Sequence, residues 1–217
     1  MDIYYFVRTT GERKFDYSPL KTTSLYDYEH KPVESFIRQL KEISEYDSVL
    51  LEDDLCLCKN FQEEIEKVIS EHPNSIIQFF TDITVWETSH MRNENFSWNQ
   101  CTYYPKGVAA NIAKVMEQQL PHYGTPQKLY SCVENKALIT LNIPHYIHRP
   151  CLVQHMDIDS ILQSPGFNNI RGTIYFKDYL DNLNIDYNDA YSYENKKRLT
   201  QQFIQHINSY KNKKEEN

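Results

Sequence analysis

The stretch Ser48-Val49-Leu50-Leu51-Glu52-Asp53-Asp54-Leu55 decides how this chain is read. Its first half is a short apolar run of strand length, and it stops at three consecutive carboxylates. On its amino side, Val33, Phe36, Ile37, Leu40 and Ile43 follow the i, i+3, i+4, i+7 rule with polar residues between them, and Pro32 suits a first helical turn. On its carboxyl side, Phe61, Ile65, Val68 and Ile69 mark a second amphipathic helix, closed by His72-Pro73-Asn74. Ile3 to Val7 is a β-rich run that ends in the polar turn Arg8 to Glu12, and Ser75 to Phe80 is a third strand. Hydrophobic strands alternating with amphipathic helices imply right-handed βαβ crossovers, so the fold class is α/β with a mostly parallel central sheet flanked by helices.

Beyond residue 80 the pattern weakens. Residues 81 to 101 are polar, carry Trp86 and Trp98, and read as a long functional loop or an irregular hairpin. Val108, Ile112, Val115 and Met116 predict a further helix, Tyr146 to His148 a short strand, and Cys151 to Gln154 an extended piece. The span 164 to 194 has no clear assignment, and Leu199, Phe203, Ile207 and Tyr210 predict a last helix. Two units are expected: residues 1–162 as the main domain and 163–217 as a helical extension packed on it.

Composition bounds the function. The 217 residues are 40% hydrophobic and 24% charged with only 5 Gly, the proportions of a soluble globular chain. A chain this long buries about 70% of its unfolded surface, enough for a core without disulfides. The apolar runs fall far short of the ~18 residues of a membrane span, and the start MDIYYFVRTT lacks the basic region of a secretion signal. Five cysteines, Cys56, Cys58, Cys101, Cys132 and Cys151, form no CxxC spacing and read as reduced thiols, so a cytoplasmic location is expected. A net charge of −7 argues against a protein whose main work is coating nucleic acid.

The carboxylates Glu52, Asp53 and Asp54 fall at the carboxyl end of a strand, where open α/β sheets bind ligands. Like charges packed there need compensation, and a hard divalent cation such as Mg²⁺ or Mn²⁺ is the usual one. The same tripeptide also reads as a solvated acidic turn before the next helix. Strand alternation predicts Glu52 and Asp54 on one side and Asp53 on the other. Pro150 to His155 is an apolar segment ending in a histidine that a sheet could return to the same edge; a backbone-satisfied buried imidazole is the alternative.

Taken in order, the first strand with Arg8-Thr9-Thr10, the Leu50-to-Leu55 element, Tyr103-Tyr104-Pro105 before a helix from Lys106, and Pro150 to His155 followed by Ser160 resemble the GT-A glycosyltransferases, nearest to small bacterial and phage enzymes. The resemblance spans about residues 1 to 162 and implies a Rossmann-like GT-A sheet. It implies Mn²⁺ or Mg²⁺ as cofactor and a nucleotide-sugar donor, a UDP-sugar first. It makes Asp54 a metal ligand and His155 a late metal or phosphate ligand, Glu52 and Asp53 contacts to ribose or metal-bound water, and Arg8, Thr9 and Thr10 contacts to the nucleotide. It points to Glu134 as the general base, although Asn135 departs from the family pattern. An acidic residue in a first helical turn is equally a macrodipole effect.

Trp86, Trp98, Tyr103 and Tyr104 suit an aromatic platform for sugar and acceptor. Lys196-Lys197-Arg198 and Lys211, Lys213 and Lys214 either track phosphates or form a solvated helix face. The acceptor stays open between a cell-surface glycan and a modified base in phage DNA, with the host cytoplasm as the location in the phage case. A nucleotidyltransferase or phosphohydrolase using the same carboxylates is the alternative, together with a non-catalytic nucleotide-binding module; no GxxxxGK[ST] loop supports a P-loop version.

Overall fold

In the computed structural model, which describes residues 2–81, 89–91, 99–122, 130–156 and 172–215, the elements run β1 (Ile3–Thr9), β2 (Thr22–Tyr26), α1 (Pro32–Ile43), β3 (Asp47–Glu52), β4 (Leu55–Leu57), α2 (Phe61–Glu71), β5 (Ile76–Gln78), β6 (Ser89–Met91), β7 (Cys101–Tyr104), α3 (Val108–Gln119), α4 (Tyr130–Leu141), β8 (His145–Ile147), β9 (Val153–His155), α5 (Lys177–Asn182) and α6 (Tyr193–Glu215). Seven strands form one sheet in the order β2-β1-β3-β7-β5-β8-β6, and β4 pairs with β9 apart from it. β1, β2, β3, β5 and β8 run one way; β7 and β6 run against them. The α/β class and the mostly parallel sheet expected from the sequence are borne out, with β7 inserted antiparallel between β3 and β5.

Side chains alternate across this sheet as period two requires. Tyr5, Val7, Val49, Leu51, Ile77 and Tyr103 enter one buried cluster, together with Phe61, Ile65 and Ile69 of α2. Phe6, Leu50, Ile76 and Tyr104 enter the other, with the apolar stripes of α1, α3 and α4. α1 buries Val33, Phe36, Ile37, Leu40 and Ile43, the set its periodicity predicts, and begins at Pro32. Each such side chain contributes roughly 2 kcal/mol of transfer free energy, which ties the helix, and with it the ends of β2 and β3, to the sheet.

β2 and β4 escaped the sequence reading, and β6 falls in the span read as a long loop or irregular hairpin. β2 is an edge strand of polar residues, so it lacks an apolar alternation to detect. β4 has three residues and is defined by its partner β9 rather than by its own pattern. Tyr103 and Tyr104, expected on an exposed platform, are fully buried in opposite core layers. This is a correction: their rings fill the core because β7 is an interior strand. Trp86, Trp98 and Ser160 lie outside the described residues.

The domain boundary at 162 also lies outside the described residues. Tyr175, Phe176, Tyr179, Leu180 and Leu199 share the buried cluster of Val49 and Leu51, so α5 and the first part of α6 pack on the same core as the sheet. Arg198 donates to the carbonyl of Leu183 at 2.6 Å, which holds one of the two basic clusters against the turn after α5. Among the described residues, Cys56, Cys58, Cys101 and Cys151 form no disulfide with one another. Among the described residues no helix is long and apolar enough to cross a membrane.

Candidate metal centre

The site grows from the parallel pairing of β1 and β3, whose register sets Arg8 opposite Glu52 at the carboxyl edge. β3 ends at Glu52, Asp53 and Asp54 make the turn, and β4 starts at Leu55. Tyr17 clips that turn: its hydroxyl donates to the Glu52 carbonyl at 2.5 Å and accepts from the Leu55 N–H at 3.0 Å. Antiparallel pairing of β4 with β9 then places Leu55 opposite His155, and the Met156 N–H donates to the Asp54 carbonyl at 2.8 Å. A histidine a hundred residues downstream is thereby locked beside the acidic turn.

Glu52, Asp54 and His155 each present a ligand atom within 4.8 Å of the others. His155 Nε2 stands 3.3 Å from Asp54 Oδ2. Both Asp54 and His155 are only 6% exposed, and Glu52 is half-buried. Arg13 also meets the turn, its Nη1 lying 2.5 Å from Asp54 Oδ2 and 3.2 Å from Asp53 Oδ1. Burial pushes the Asp54 carboxyl up, but the hydrogen bond and charge of His155, joined by Arg13, outweigh it and hold the group below its ordinary value. Asp54 Oδ1 is buried and has no hydrogen-bond partner among the described residues. A carboxylate oxygen in that state costs desolvation energy unless a ligand takes it up. The donor set of two carboxylates and one imidazole fits a divalent cation, and the imidazole favours Mn²⁺ over Mg²⁺.

The remaining expected residues divide. Arg8 reaches the edge anchored on α1: its Nε donates to Gln39 Oε1 at 2.9 Å, its guanidinium lies 4.8 Å above the Phe36 ring, and its Nη1 is 3.8 Å from Glu52 Oε1. The Thr9 hydroxyl is spent on the turn, accepting from the Gly11 N–H at 2.9 Å, while the Thr10 hydroxyl is buried with no partner among the described residues. Asp53 faces Arg13 and is outside the triad; Glu52, expected only as a neighbour of the metal, is inside it. Strand alternation sets Glu52 and Asp54 on one side and Asp53 on the other, and the triad has that membership, although Arg13 contacts Asp53 and Asp54 together in the turn.

Glu134 is not one of the triad residues. It lies in the second turn of α4, fully buried, accepting from the Tyr104 hydroxyl at 2.7 Å and from Asn99 Nδ2. Burial raises its carboxyl to about 7, with the two hydrogen bonds and the nearby charge of Arg8 pulling the other way. The macrodipole account also loses its ground, since Glu134 is past the first turn.

Arg13, Tyr17, Gln39 and the pair Tyr26 and Tyr28 went unnoticed in the sequence. Tyr26 and Tyr28 stack with centroids 4.8 Å apart and planes within 8°, exposed by 42% and 70%, at the carboxyl end of β2. A Cβ on Gly11, which has φ +83°, would meet both rings at 3.5 Å. A basic residue soon after the first strand's polar turn was the one available signal for Arg13.

No protein family matches the chain. No curated protein is similar to it either. Among solved structures, A197 from STIV is similar over 73% of this chain and 87% of its own, at 12% identity and a TM-score of 0.43. At that degree the likeness assigns neither a family nor an activity.

Proposed function

We propose that this chain is a metal-dependent glycosyltransferase of the GT-A type that moves a sugar from a nucleotide-sugar, a UDP-sugar first, to an acceptor hydroxyl. The observation that carries this reading is the convergence of Glu52, Asp54 and His155 within 4.8 Å at the carboxyl edge of parallel strands. Glu52, Asp54 and His155 would hold a divalent cation, which would offset the negative charge that grows on a departing diphosphate.

The chain's own residues supply the rest. Arg8, pre-set by Gln39 and Phe36, adds a fixed positive charge beside Glu52. The unpartnered Thr10 hydroxyl offers a hydrogen bond to a ligand at the same edge. The stacked Tyr26 and Tyr28 offer an exposed aromatic face to a nucleobase. Glu134, enclosed with both oxygens engaged, acts in this reading as a positioning residue that holds Tyr104 and Asn99.

Thermal melting with UDP, GDP, CDP and ATP, each with and without Mn²⁺, tests the proposal. A Mn²⁺-dependent rise with UDP supports it, and hydrolysis of a UDP-sugar without acceptor should vanish in Asp54→Ala but persist in Glu71→Gln, at the far end of α2. Cleavage of ATP without action on any UDP-sugar would instead establish a nucleotidyltransferase or phosphohydrolase. No response to any nucleotide with metal would sink both.

A further inference from the structure

Next to the triad lies a cleft of about 880 Å³, between the β1–β2 connection and the first turns of α2, with β4 as its floor. Leu55 and Met156, which line it, directly follow Asp54 and His155 in the chain. One wall carries an aromatic pair, Phe15 and Tyr17, with centroids 5.3 Å apart and planes tilted by 38°. Tyr17 is the residue that clips the acidic turn, so this wall and the triad are parts of one rigid arrangement. The opposite wall carries Asn60, Gln62, Glu63 and Glu66, and Gln62 Nε2 donates to Glu66 Oε1 at 2.8 Å.

We propose that this cleft is the acceptor subsite and that it takes an uncharged saccharide. The inference rests on the transferase reading above and names the acceptor class for it. The volume is that of pockets that enclose small ligands, roughly 300–1,000 Å³. Aromatic faces pack on the apolar C–H faces of sugar rings, while carboxylates and amides accept from and donate to the hydroxyls. Charge separates saccharide from nucleic acid: Asp16, Glu63 and Glu66 stand against Lys14 alone among the charged lining residues. Three carboxylates facing one ammonium repel a phosphate backbone, whose binding needs clustered cations. In the transfer, the saccharide hydroxyl oxygen bonds to the anomeric carbon of the donor. The bond from that carbon to the diphosphate oxygen breaks with its electron pair staying on the diphosphate, and the hydroxyl proton passes to water in the cleft.

Saturation-transfer NMR on the full chain, with lactose, maltose or N-acetylglucosamine as probe, tests this directly. Saccharide signals are expected for the native chain. Both Phe15→Ala and the exposed-site variant Glu63→Gln should weaken binding about tenfold, the worth of one ring contact or one charge-assisted hydrogen bond. Glu63→Gln lies on the solvent side of α2, so its result stands even if Phe15→Ala fails to fold. Equal binding by native chain and Glu63→Gln, or displacement of the saccharide by a DNA duplex or by glucose 6-phosphate, would overturn the assignment. So would absence of any saccharide signal in a protein whose melting responds to UDP with Mn²⁺, and that result would leave the transferase reading standing. Saccharide binding in a protein indifferent to UDP and Mn²⁺ would end the transferase reading and the acceptor role with it.

Discussion

The guanidinium of Arg13 and the carboxylate of Asp54 meet at 2.5 Å, in a pocket where the side chains are 16% and 8% exposed. Arg13 thus stands where positive charge is needed, and a divalent cation at the triad competes with it for Asp54. Arg13→Ala takes the guanidinium from buried Asp53 and leaves Asp54 with His155 alone among the described residues, and should cost roughly 3 kcal/mol in urea unfolding. Mn²⁺ at a hundred times its dissociation constant should return about 2.7 kcal/mol, and the variant should bind Mn²⁺ more tightly than the native chain in calorimetry. Equal Mn²⁺ affinity in both would show that Arg13 and the cation do not share Asp54.

His155 owes its place to the pairing of β4 with β9. His155→Ala should leave the pairing intact, because backbone atoms make it, yet lower the proposed Mn²⁺-dependent UDP-sugar hydrolysis on the order of 100-fold by removing one of the three candidate ligands. Circular dichroism and Mn²⁺ titration of the variant check the two halves. A variant with normal metal affinity would exclude the imidazole from the site.

Tyr17→Phe removes one hydroxyl and leaves the Leu55 N–H without its partner. A buried unpaired N–H costs about 1–3 kcal/mol. Because the same hydroxyl bonds the Glu52 carbonyl, the acidic turn loosens, and metal affinity should drop about tenfold alongside the loss in melting temperature. A stability loss with unchanged metal affinity would separate the clip from the site.

Glu134 gives a pH signature. Its folded carboxyl, at about 7, lies above the ordinary 4.5, so the folded state holds the proton more tightly than the unfolded one. The stability this contributes is complete below about 4.5 and is lost as pH rises through about 7. Glu134→Gln removes the ionisation, and Asn99 Oδ1, which lacks a partner among the described residues, can accept from the new amide if the Asn99 side chain turns over. The variant should therefore gain stability on the native chain between pH 4.5 and 7, by about 3 kcal/mol across the window. Parallel urea curves at pH 5 and pH 8 decide it; a constant difference between the two chains would rule out this titration.

Elements with a strong period were legible. α1 and α2 occupy the predicted stripes because an apolar face at 3.6 residues per turn can be buried only one way. The long helix α6 was seen only from Leu199 onward, since the exposed residues from Tyr193 carry no stripe. At the site, the position of Glu52 to Asp54 at a strand end was legible, and so was His155 as a candidate. The pairing of Glu52 with Asp54 apart from Asp53 was legible too, from strand alternation; the contact of Arg13 with both Asp53 and Asp54 was not, because an irregular loop brings it there.

By itself, the sequence determined the α/β class, the helices that clothe the sheet, and the acidic edge of β3, because each follows from apolar spacing within some ten residues. The tertiary structure alone decided that His155 joins Glu52 and Asp54, that Arg13 meets Asp54, and that Glu134 is sealed in the core. Those outcomes depend on pairing between strands a hundred residues apart and on the path of an irregular loop, and no local period encodes either one.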